Sequence, residues 1–121
     1  MDFQEIPEIL ENLILISNGS SGKLSDNIET WNKIPTNIKH DIRYQPNNYE
    51  KILFLAKNIT SNLDLKQQEF LLDYMQRSWW RTTKDRNIAE ILESIKKNIN
   101  SNIQPRISWE VGLLKVKIKG L

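Results

Sequence analysis

The 121-residue chain contains no cysteine and only one histidine, His40. Without thiols it has no disulfide framework, no thiolate nucleophile and no cysteine-ligated zinc, and a single imidazole cannot build a histidine-rich metal site. No apolar run approaches the roughly 18 residues that a membrane span needs. The first residues, Met1-Asp2-Phe3-Gln4-Glu5, are acidic where a secretory signal is basic. These absences point to a cytoplasmic protein with no cofactor, no metal and no membrane partner.

The chain is long enough for one core and too short for a cofactor domain beside a substrate domain, so residues 1–121 are expected to form a single domain. A hydrophobic content of 39% with 26% charged residues is that of a chain that folds. The net charge of +2 hides an uneven layout. Asp2, Glu5, Glu8, Glu11, Asp26 and Glu29 face only Lys23 in the first 30 residues, whereas the last 31 carry six bases against Glu93 and Glu110. Either the two ends lie side by side and neutralise each other, or the surface is polarised and steers a charged partner.

Helical periodicity dominates most of the chain. Phe3, Ile6, Ile9, Leu10, Leu13 and Ile14 recur at helical spacing with acids between them. Ser17 to Gly22 reads as a flexible loop, Ser25 or Asp26 as the cap of a short helix through Trp31, and Pro35-Thr36 as the start of another carrying Ile38 and Ile42. Ile52, Leu55, Ala56 and Ile59 mark a helix from Tyr49. Asp64 with Gln67 forms a capping box for the longest helix, from Leu65 to about Arg81. Thr82 and Asp85 offer a further capping signal before the stripe Ile88, Ile91, Leu92, Ile95 and Ile99.

After Pro105 the apparent period shortens to two. Ile107, Trp109 and Val111 alternate with polar residues, as do Leu114, Val116 and Ile118, and Gly112-Leu113 between them suits a type II′ turn. The expected fold is therefore mainly α: about five helices with a C-terminal β-hairpin packed on them.

Catalytic signals are thin. Gly19-Ser20-Ser21-Gly22-Lys23 has two residues between its glycines where a phosphate-binding loop has four, and Leu24 follows the lysine where a hydroxyl is needed. His40 beside Asp41 lacks a nucleophile, and pairs such as Glu8 with Glu11 read as a solvated helix face. No enzyme activity is expected.

The strongest candidate site is Arg77-Ser78-Trp79-Trp80-Arg81, with Lys84 and Arg86 close behind. Adjacent helical residues lie about 100° apart, so one indole can face the core while the other is drawn to the surface. An exposed tryptophan flanked by arginine has the composition of a binding hot spot. Arg77, Arg81 and Lys84 could also contact phosphates while Trp80 stacks on a base, although Glu69, Asp73 and Asp85 leave residues 61–90 neutral.

A small, cysteine-free, mostly helical chain rich in Ile, Asn and Lys, with Trp79-Trp80 in a charged setting, resembles the immunity proteins of bacterial contact-dependent and other polymorphic toxin systems. The resemblance implies a stoichiometric inhibitor whose partner is a cognate toxin domain, often a nuclease. Trp80, Arg77, Arg81 and Lys84 would then anchor the partner, and Asp2, Glu5, Glu8, Asp26 and Glu29 would supply complementary charge. The alternative expectation is a small helical nucleic-acid-binding or regulatory domain.

Overall fold

A computed structural model describes residues 5–101 and 103–119, and among these every regular element is a helix. α1 spans Glu5–Ile16, α2 Ser21–Lys33, α3 Thr36–Tyr44, α4 Tyr49–Asn62, α5 Leu65–Thr83, α6 Arg86–Ile99 and α7 Pro105–Lys119. Local chemistry sets most of the starts. Ser20, Asn48 and Asp85 each accept a backbone N–H of the first turn that follows, satisfying donors that a helix leaves unpaired. At α5 the capping box is complete: Gln67 N donates to Asp64 Oδ1 at 2.8 Å, and Asp64 N donates to Gln67 Oε1 at 2.9 Å. Lys84, left-handed at φ 53°, closes α5 by donating its N–H to Trp80 O.

α5 is the hub. It packs against α1, α2 and α6; α7 then packs on α6 and α4, and α3 lies on α4. Leu71, Leu72, Met75 and Trp79 of α5 are buried among Ile38 and Ile42 of α3, Ile52, Leu55 and Ile59 of α4, and Leu92 and Ile95 of α6. The polar edges of the large rings are matched inside this core. Trp79 Nε1 donates to Ile42 O at 2.9 Å, and Trp109 Nε1 donates to Gln68 Oε1 at 2.9 Å, while Gln68 Nε2 donates to Leu63 O. These bonds tie α5 to α3 and α7, because a buried indole N–H without an acceptor is costly.

The expected C-terminal hairpin is replaced by α7, and the described residues hold seven helices where about five were expected. Pro105 occupies the first helical position, where its missing N–H costs nothing. Ser108, Trp109, Gly112, Leu113 and Val116 are buried, a one-three-one-three spacing that lines one side of a helix. Gly112 is not a turn residue. Ile95 of α6 lies so close that a Cβ at this position would overlap its side chain, so glycine permits the approach of α6 and α7. The period of two arose because α7 is apolar on its outer side as well: Trp109 and Val116 point inward, Ile107, Val111 and Ile118 outward. α2 likewise begins earlier than expected, at Ser21 behind the Ser20 cap, inside the stretch read as loop.

Candidate interaction surfaces

The tryptophan pair divides as its helical spacing requires: Trp79 is 2% exposed and Trp80 42% exposed. Trp80 and Arg77 share a wide, shallow cleft with Ile16, Asn18, Asp73, Gln76, Ala89 and Glu93, where α1 ends against α5 and α6. The carboxylates of this cleft are engaged. Lys96 Nζ contacts Asp73 at 3.0 Å, which raises the lysine's pKa through that hydrogen bond, and Gln76 Nε2 donates to Glu93 at 2.9 Å. Arg77 makes no ion pair among the described residues. Lys84 Nζ sits 5.9 Å from the Trp80 ring centroid, within cation–π range.

Arg81 is turned to internal work. Its Nη2 donates to Glu11 Oε1 at 2.7 Å, a bond that raises the guanidinium pKa and fastens α5 to α1. Glu8 is similarly held by Arg43 of α3 at 2.8 Å. Glu8 and Glu11 of α1 thus pair with α3 and α5 rather than with the basic residues of the C-terminal stretch. Asp26 and Glu29 lie exposed on α2, Glu29 beside Lys33 at 3.4 Å. Asp2 lies outside the described residues, and Glu5 is the first residue of α1. The structure therefore brings Trp80, Arg77 and Lys84 together, and separates Arg81 and Glu8 from a role as free surface charge.

A surface missed by sequence reasoning runs along α7. Ile107, Val111 and Ile118 are 52%, 45% and 65% exposed and fall within about 40° of one another around the helix, opposite Trp109. Ile103, just before the helix, is also exposed. Ile103, Ile107 and Val111 form one wall of a groove whose other wall is Ile91, Ser94, Ile95 and Asn98 of α6, with Lys115 at its rim. The signal was in the sequence as an apolar residue at every fourth position from 103 to 111, hidden by the apparent alternation. On α1, Leu10, Ile14 and Leu15 are exposed too, so the acidic helix has a second apolar side.

Among the described residues no three His, Cys, Asp or Glu side chains group to hold a metal, and no helix is long and apolar enough to cross a membrane. His40 lies 3.6 Å from Asp41 and packs its ring on Tyr44.

The sequence model of one family, cyanobacterial DNA polymerase III delta prime, C-terminal domain, matches residues 1–116. This match overturns the resemblance to toxin-immunity proteins, and with it toxin neutralisation as the function and a cognate toxin as the partner. The resemblance rested on overall character, small size, helicity and composition, which unrelated helical domains share; the match follows the residues along nearly the whole chain. No curated protein and no solved structure matches the chain. The chain belongs to the family of cyanobacterial DNA polymerase III delta prime C-terminal domains.

Proposed function

We propose that the chain is a non-catalytic assembly module, acting in the cytoplasm, that joins a neighbouring subunit of a DNA polymerase III clamp-loader complex. The observation that carries this reading is the outward apolar stripe of α7, Ile107, Val111 and Ile118, continuous with the α6–α7 groove. Solvent-facing helices of this kind normally carry polar residues on their outer side, and an aligned apolar stripe marks a surface that a partner covers. A partner helix laid along the groove would cover Ile107 and Val111 of α7 together with Ile91 of α6. Trp80 with Arg77 supplies a second contact of hot-spot composition on the other side of α6.

The test is co-purification with the other polymerase III subunits of the source organism. The wild-type chain is expected to co-elute with at least one of them, and Ile107→Asp combined with Val111→Asp to lose that association while keeping its helical circular dichroism. Co-elution by the double variant would show that the face is wrong. Failure of the wild-type chain to join any of these subunits would show that the assembly reading is wrong.

A further inference from the structure

A cleft of about 350 Å³ opens where α1, α2, α3 and α5 meet, within the range of about 300–1,000 Å³ typical of small-molecule sites. Its walls combine two kinds of surface. Trp31 of α2 and Tyr74 of α5 stack with ring centroids 4.3 Å apart, and Ile9 and Ile42 extend this apolar floor. Lys39 and Arg43, one helical turn apart on α3, bring positive charge to the rim.

The two cations are placed differently. Arg43 is held against Glu8 at 2.8 Å, which fixes its guanidinium at the wall. Lys39 forms no ion pair among the described residues; its ammonium lies 4.9 Å from the Trp31 ring centroid. Partial burial lowers the Lys39 pKa, as expected of an ammonium drawn from water without a carboxylate to offset the loss. The polar complement beside the stack is also incomplete. Trp31 Nε1 and both amide atoms of Asn12 are buried without a hydrogen bond. Asn12 approaches the Tyr74 hydroxyl closely enough to favour its ionisation but not in hydrogen-bond geometry. Buried polar groups nearly always find partners, and Trp31, whose Nε1 lacks one, lines this cleft.

We propose that this cleft binds a small organic oxyanion, a flat or aliphatic body carrying one carboxylate or phosphate, with the body against Ile9 and the edge of the Trp31–Tyr74 stack and the oxyanion on Lys39. The site is separate from the α7 face, so its occupancy does not depend on the assembly reading.

Benzoate and phenyl phosphate test the two oxyanions, with acetate and inorganic phosphate as charge without a body and benzyl alcohol as a body without charge. The readout is the indole N–H resonance of Trp31 in ¹H–¹⁵N spectra, assigned from its loss in Trp31→Phe. Benzoate or phenyl phosphate is expected to shift this resonance saturably. The body-less and charge-less probes should bind at least about tenfold more weakly, and Lys39→Met should lose at least about tenfold in affinity, as removal of a charge-assisted bond requires. Lys39→Arg should restore binding in part. The proposal is overturned if neither aromatic anion shifts Trp31, if benzyl alcohol binds as tightly as benzoate, or if a folded Lys39→Met variant binds like the wild type.

Discussion

Tyr74 shows how one side chain couples packing to pH. Burial raises its hydroxyl pKa above the ordinary 10.0. The unfolded chain therefore releases this proton first, so the contribution to stability is complete below about pH 10 and is lost as the pH climbs toward the folded value. Lys96, raised from 10.5 by its hydrogen bond to Asp73, acts in the same direction, and Lys39, lowered by burial, opposes it. Thermal melts between neutral pH and pH 11 are expected to show a fall above about pH 10. Tyr74→Phe keeps the ring stacked on Trp31 and should flatten that fall, with a change of no more than about 1 kcal/mol at neutral pH because the hydroxyl completes no strong bond. An equally steep fall in the variant would place its cause elsewhere.

At the scale of the element, α7 is the informative case. Strand and helix readings sort the same apolar residues differently: a hairpin puts Ile107 and Val116 on one buried face, whereas α7 exposes Ile107 and buries Val116 to 7%. Ile107→Asp should therefore leave the isolated chain within about 0.5 kcal/mol of its stability, while Val116→Lys should cost several kcal/mol, the order expected for a buried unpaired charge. Comparable losses from both, measured by urea unfolding, would restore the hairpin. The other helices were legible to differing degrees. Asp64 with Gln67 announced α5 because both side chains serve their own backbone, a local interaction that sequence spacing reveals. Ser20 was hidden inside a Gly- and Ser-rich run whose turn-like composition masked the cap of α2.

For the whole molecule, ion pairs join helices but do not hold them together. Glu8–Arg43 ties α1 to α3, Glu11–Arg81 ties α1 to α5, and Asp73–Lys96 ties α5 to α6. Their side chains retain from 31% to 62% of their exposure, so each pair is worth at most about 1 kcal/mol and is screened by salt. The buried apolar cluster, by contrast, draws on all seven helices and is indifferent to screening. Raising sodium chloride from about 0.1 M to about 1 M, which shortens the screening length from roughly 10 Å to 3 Å, should not lower the melting temperature by more than a few degrees. A larger drop would assign the fold to its charges.

The amino-acid sequence alone determined the features that depend on neighbours within a turn or two: the capping box at Asp64 and the stripe of α6. Hydrogen bonds and angular spacing of that kind are complete within the segment. Only the tertiary structure decided α7, the destination of Arg81 and the cleft under Lys39, because each depends on what a distant segment brings. Ile95 meets Gly112, Glu11 captures a cation that the sequence shows beside Trp80, and Tyr74 comes to rest on Trp31 from 43 positions away. A period-two pattern can be satisfied by a strand with one buried face or by a helix with two apolar sides. The packing of α6 against a glycine selects the helix.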